Sequence, residues 1–448
     1  MTAAQAQGKK EQSISRVGLV SPLVVFVLGL ASVIGLLQIT IWVGGMSLMG
    51  GPEVHVRLNT DFLHMLTGAL IVQDGDGADL YDLDTQRAAQ NRVLAPFGQL
   101  GPDRLLPYNH PPLEALILLP LMNLPYSIAY ALWCVAAVVA TLLALRLILT
   151  EFSVQRSTAL IFVAMTLSYH PFHRTLWLGQ NSLFVLAALT STYVFLRRSN
   201  DYIAGIFLLP IALMKPQVLP AILLLLVVQW RWRALASFSL GSIGFTIAVM
   251  PFLGLQWPLS YLRLLALVAT WQQNNIIDPT TMHNWRGFIT NSIGVFFPEG
   301  IGLLASALSV VTFGVLLFAW WRVRDLPHKT NMQYQPLRKN DFLWGLGCVT
   351  AVITSIHLLT HDLSLLLLAA WIVGGYLAAG ALSKRATATW VTLVSGNYVL
   401  ALLTYFFPNQ IHLIVVLDVV VIVAAGGWFL WYCRNPSEGL LTANTLSA

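Results

Sequence analysis

The chain has 448 residues, of which 57% are hydrophobic and 10% charged, with a mean hydropathy of +0.71. Soluble domains carry about 25% charged residues, so the composition excludes a soluble enzyme. It also argues against a nucleic-acid binder, despite a net charge of +6 and a pI of about 9.3. Cys134, Cys348 and Cys433 lie in or beside apolar runs without metal-ligand spacing, so they read as core thiols and not as a disulfide framework.

About 20 apolar residues span a bilayer as a helix. In chain order the long runs are 20–44, 126–149, 234–256, 300–320, 342–360, 363–382, 388–406 and 410–432. Shorter ones lie at 157–170, 179–196, 203–214 and 217–230. The first follows Lys9, Lys10 and Arg16 and is too long for a signal-peptide core, so it is expected to remain as an anchor. The expected fold is an all-α polytopic membrane protein of about twelve transmembrane helices, with amphipathic loop helices on the outer side. Residues 1–19 and 433–448 are expected to be cytoplasmic tails flanking a single transmembrane domain, 20–432.

Orientation follows from the basic residues. With the N-terminus inside and twelve alternating helices, 17 of the 25 Lys and Arg fall on the cytoplasmic side. Segment 111–124 is then too short to cross and reads as an interfacial or re-entrant helix. Two outer segments remain, 45–125 and 257–299, and nine of the ten histidines lie on that side. There is no internal repeat, low-complexity tract or nucleotide-binding P-loop. The basic, Pro-rich stretch 325–340 reads as a cytoplasmic linker.

Polar residues that can do chemistry cluster on the outer side. Asp61, just past the first span, is either a first-turn acid favoured by the helix dipole or a general base at the membrane–water boundary. Asn59 or Thr60 is placed to cap the short helix that follows. Asp74, Asp76, Asp79, Asp82 and Asp84 form either a divalent-cation loop or a solvated turn with Asx caps, and they do not match an EF-hand. Tyr108, Asn109 and His110 precede two prolines that set a helix entry angle, and they otherwise line a cavity at the foot of 111–124. The loop 170–182 brings His170, His173, Arg174, Gln180 and Asn181, the last two also reading as a helix cap.

Lys215 separates two runs that are each too short to span comfortably. Broken helices are tolerated where they line a protein cavity, and an ammonium there either meets an anion or snorkels. Arg286, with His283 and Asn284, suits a phosphate, because a guanidinium makes paired charged hydrogen bonds. His357, His361 and Asp362 share an outer junction, where Asp362 is expected to orient His361 or Lys215 through a charge pair. No metal site and no cofactor are expected. Asp418, inside the last span, is expected to pair internally. An acid among cations and histidines suits glycosyl transfer from a lipid phosphate: the phosphate leaves C1 while a base takes the acceptor's proton. A secondary transporter or lipid flippase with a charged intramembrane cavity is the alternative reading.

The ordered motifs TDF (60–62), DLYD (79–82), YNHPPL (108–113), GQN (179–181), KPQ (215–217), MHNWRG (282–287) and SIH…HD (355–362) resemble glycosyltransferase family 87. These are GT-C-class enzymes that include polyprenol-phosphate-mannose-dependent mannosyltransferases of bacterial envelope glycolipids. The resemblance covers about 300 residues. It implies a catalytic acid in the first outer loop, at Asp61, and a polyprenyl-phosphate-linked hexose, mannose first, as donor. It further implies a glycolipid or glycan acceptor, inversion at C1, no obligatory metal, and a site facing the exterior of the bacterial cytoplasmic membrane. The histidine of the family's Ser-Pro-His-like motif falls on His357, with Ile356 in place of Pro. His361 and Asp362 stand where the family often has Tyr-Asp. Lys215, Arg286 and His357 are assigned to the donor phosphate. Tyr108, Asn109, His110, Gln180, Asn181, His283, Asn284, His361 and Asp362 are assigned to the substrate cavity.

Overall fold

Hydrocarbon offers no partner to backbone amides and carbonyls, so a chain this apolar must satisfy them within helices or a closed barrel. The computed structural model describes residues 33, 61–95, 105–273, 278–324 and 339–434. Among the described residues every extended element is helical. In order these are α1 (Phe62–Gln73), α2 (Leu83–Leu94), α3 (Leu113–Leu118), α4 (Tyr126–Glu151), α5 (Arg156–Ser168), α6 (His170–Leu178), α7 (Ser182–Arg197), α8 (Asp201–Met214) and α9 (Leu219–Val228). Then come α10 (Trp232–Leu253), α11 (Trp257–Gln273), α12 (Trp285–Ser292), α13 (Ile301–Arg324), α14 (Lys339–Ile353), α15 (Leu366–Ala378), α16 (Lys384–Phe406) and α17 (Ile411–Arg434).

Among the described residues, six helices are long and apolar enough to cross a membrane: α4, α10, α13, α16, α17, and α15 together with the 3-10 turn before it. Apart from 342–360, the expected spans from 126 onward coincide with helices. The run 20–44, the candidate caps Asn59 and Thr60, and nearly all of the linker 325–340 lie outside the described residues. Helices α10 and α13 turn Leu240, Ile243, Ile247, Leu303, Val310 and Val311 outward. Water would penalise such faces and lipid accepts them.

One expectation needs correction. The run 342–360 is not one helix: α14 stops at Ile353, and an irregular segment leads to a 3-10 turn at Thr360–Leu365. Its backbone is satisfied by side chains, Asn284 donating to Ser355 O and the Ser355 hydroxyl to His357 O. Irregular backbone in an apolar setting is stable only when its polar groups find partners in the protein, as these do. Segment 257–299 begins with α11, which occupies 17 of its residues and buries Trp257 and Leu264. Segment 111–124 is short, as expected, with α3 followed by one 3-10 turn.

Charge separates the two ends of the bundle. Helix α7 places Ser182 and Arg197 about 22 Å apart at 1.5 Å per residue. At the Arg197 end, its guanidinium pairs with buried Asp341, which also accepts from the Tyr376 hydroxyl, while Arg198 pairs with Glu151 at 2.6 Å. At the Ser182 end, the polar residues singled out in the outer segments come together.

Candidate active site

Asp61 directly precedes α1, but its carboxylate makes no capping hydrogen bond to that helix. Instead Asp61 Oδ2 accepts from Gln180 Nε2 at 2.7 Å. Packing explains the approach. Phe62 is fully buried against Tyr126 and Tyr130 of α4, edge-on at ring-centroid distances of 5.5 Å. The same helix holds the turn that carries Gln180: the Tyr130 hydroxyl donates to Leu176 O at 2.6 Å, and Trp133 Nε1 to Gly179 O at 2.8 Å. Gly179 has φ +66°, and a Cβ there would lie 2.5 Å from Phe62 Cβ. Only glycine lets the turn come so close to the start of α1.

The chain of contacts continues inward. Lys215, 4% exposed at the break between α8 and α9, donates to Gln180 Oε1 at 3.4 Å and pairs with Asp362 Oδ1 at 2.6 Å. Asp362 is nearly saturated, because Ser182 Oγ donates to Oδ1 at 2.8 Å and Leu359 N to Oδ2 at 3.2 Å, with His361 Nε2 3.4 Å from Oδ1. The His361 carbonyl is held by Thr175 Oγ1 at 3.1 Å. Asp362 therefore orients both His361 and Lys215. His357 is close enough to feel the charges of Asp362, Lys215, Asp61 and Arg286, and burial pushes its pKa below the ordinary histidine value. Its Nδ1 has no hydrogen-bond partner among the described residues. Arg286, half-buried in the first turn of α12, completes this side. Exposed Arg174 attracts Asp61 from the other.

A second polar layer lies behind Gln180. Asn181 Nδ2 donates to Glu114 Oε1 and to Met214 O, and the other oxygen of Glu114 is 2.5 Å from His110 Nδ1. Glu114 is fully buried, a position a carboxylate holds only when paired. His64, buried edge-on to His110, is pushed down to about 3, chiefly by desolvation and then by His110. Glu114 and His64 were not singled out from the sequence. The signals were faint: an acid four residues after His110 at the head of an apolar run, and a histidine one helical turn after Asp61.

Several predicted residues do other work. Tyr108 is a packing residue: its ring lies against Gly68 and its hydroxyl donates to Pro111 O at 2.7 Å. Asn109 is half-buried beside it. His283 is fully buried, with Nδ1 2.7 Å from Asp418 Oδ2 of α17. Asn284 caps α12 through Gly287 N at 2.9 Å. Neither is placed to line a cavity, because both are consumed in internal hydrogen bonds. Asp418 pairs internally, as expected. In the acidic loop, Asp82 caps α2 through Thr85 N and Asp74 pairs with Arg92, which matches the capped-turn reading. Among the described residues no group of three His, Cys, Asp or Glu is arranged to hold a metal ion.

Residues 108–334 match the profile of glycosyltransferase family 87, half of the chain. The chain belongs to glycosyltransferase family 87. No curated protein and no solved structure matches it. Family membership and the six membrane-length helices make it an integral membrane glycosyltransferase, with a sugar donor and an acceptor as substrates. The family 87 match includes Gln180, Lys215 and Arg286 but neither Asp61 nor His357, His361 and Asp362. The fold brings Asp61 onto Gln180 and Asp362 onto Lys215.

Proposed function

We propose that this family 87 enzyme transfers a hexose, mannose by the sequence resemblance, from a polyprenyl-phosphate donor to an envelope glycolipid or glycan. Transfer takes place at the outer face of the bacterial cytoplasmic membrane. The observation that carries the reading is the placement of Asp61. It is partly exposed, held through Oδ2 by Gln180, and makes no other hydrogen bond among the described residues. Oδ1 then serves as the base. The acceptor oxygen attacks C1 from the face opposite the phosphate, giving inversion. Its proton passes to Asp61, and the C1–O bond electrons leave with the polyprenyl phosphate.

Charge accumulates on the departing phosphate, and fixed cations stabilise it best where water is scarce. Arg286 offers its planar fork to the phosphate oxygens. His357, kept neutral by burial, donates an N–H. Lys215 shares its charge with Asp362, so it adds a weaker attraction while fixing Gln180. The outward apolar faces of α10 and α13 suit a donor whose tail stays in the bilayer.

The test is transfer of radiolabelled polyprenyl-phosphate mannose to envelope glycolipid by the purified protein in lipid nanodiscs. Asp61→Asn is expected to keep its fold and lose about 10²–10⁴-fold in rate. Substantial residual transfer removes Asp61 from the base role. Movement of sugar across the bilayer without a covalent product favours transport instead.

A further inference from the structure

Asp418 is fully buried in α17, two helical turns from its start, in the run IVVLDVVVIV. A carboxylate in such a place is costly unless paired, and it marks function by default. Both of its oxygens are used. Oδ2 faces His283 Nδ1 at 2.7 Å, and Oδ1 accepts from Asn397 Nδ2 at 2.7 Å. Asn397 Oδ1 in turn accepts from the Tyr169 hydroxyl, which also reaches Leu363 O at 3.4 Å. The other ring nitrogen of His283 lies 3.1 Å from Thr360 Oγ1. When His283 Nδ1–H donates to Asp418, Nε2 of the neutral ring accepts from the Thr360 hydroxyl.

This network joins a span to the segments that carry Arg286 and His357. His283 N donates to Leu358 O, and Asn284 Nδ2 to Ser355 O at 2.8 Å. Asn284 caps the helix that begins with Trp285 and Arg286. Thr360 directly precedes His361 and Asp362. One imidazole thus ties α17 to the segment holding Arg286 and to the segment holding His357, His361 and Asp362. None of these contacts reaches Asp61.

We propose that His283 and Asp418 are positioning residues that clamp Arg286 and the 355–362 segment against α17, setting the geometry of the donor phosphate subsite. The pair touches no reacting atom. It acts through Thr360, Asn284 and the backbone of Leu358. This rests on the proposed function in assigning Arg286 and His357 to the phosphate.

The experiment uses the full-length protein in nanodiscs with two variants. Asp418→Asn removes the charge. Thr360→Val removes only the link from the imidazole to the segment and leaves the pair intact. Both are expected to raise the donor KM while leaving the acceptor KM in place, with donor kcat/KM falling on the order of 10²-fold in Asp418→Asn. Wild-type donor KM in both variants overturns the proposal, as does an equal loss for donor and acceptor. If Asp418→Asn fails to fold, Thr360→Val carries the test. Amide hydrogen exchange on Thr360→Val reads the clamp without substrate. Faster exchange confined to 283–290 and 355–362 supports it, and unchanged or chain-wide exchange overturns it. That arm stands even if the wild-type protein does not use the polyprenyl-phosphate donor.

Discussion

Lys215 Nζ lies 2.6 Å from Asp362 Oδ1, so the ammonium at the helix break is neutralised by the protein itself. Removing one member of a buried pair strands the other charge, at a cost of about 3–5 kcal/mol. Lys215→Met and Asp362→Leu should each lower the melting temperature sharply in detergent. The double variant Lys215→Met/Asp362→Leu should recover much of that stability, because no charge is left stranded, yet remain inactive. A thermal-melting double-mutant cycle reads the coupling directly. Additive losses would show that the two charges do not depend on each other.

Gln180 hands the position of Lys215 on to Asp61. Gln180→Leu keeps the size of the side chain and removes both hydrogen bonds. Its kcat is expected to fall on the order of 10²-fold, the loss a misplaced reacting group brings, with little change in donor KM. A variant with unchanged kcat would mean that Asp61 is held by other contacts. Steady-state kinetics at saturating donor separate these outcomes.

Gly179→Ala should be poorly tolerated for two reasons. Its φ of +66° costs a non-glycine residue about 1–3 kcal/mol, and the new methyl would overlap Phe62. Because Phe62 adjoins Asp61, activity should drop further than the loss of folded protein explains. Comparing the melting shift with the specific activity of the folded fraction checks this.

Stability should fall on acidification through the histidines that burial keeps neutral. His64 and His170 are pushed down to about 3, and His173 to about 4. In the unfolded chain each titrates near 6.5. The unfolded state therefore binds more protons below 6.5, so stability is full above that pH and is lost as pH falls from about 6.5 toward 4. Each histidine contributes on the order of 1 kcal/mol of loss by pH 5.5. Melting temperatures from pH 8 to 5 should show this decline, and His64→Gln should flatten it. A flat profile would place these imidazoles in water.

Much of the site was visible as ordered fragments. Gln180, Lys215 and Asp362 stand out because polar residues interrupt apolar runs, which lipid makes costly. What the fragments do to each other was not visible. Nothing in GQN says that Gln180 reaches Asp61, 119 positions earlier, while Asn181 reaches Glu114. His283 and Asn284 are assigned to the substrate cavity by their place in the motif MHNWRG beside Arg286. They are spent instead on Asp418 and on a helix cap, partners supplied by distant parts of the chain.

The sequence alone determined that this is a helical membrane protein, where its described spans lie, and which family 87 motifs it carries. Those properties depend on local hydrophobicity and on residues close together in the chain. Only the tertiary structure decided that Lys215 is already paired, that Gln180 holds the candidate base, and that Asp418 anchors the segments bearing Arg286 and His357. Each depends on a side chain of a few ångströms' reach meeting a partner tens or hundreds of residues away, and that meeting is set by how the helices pack.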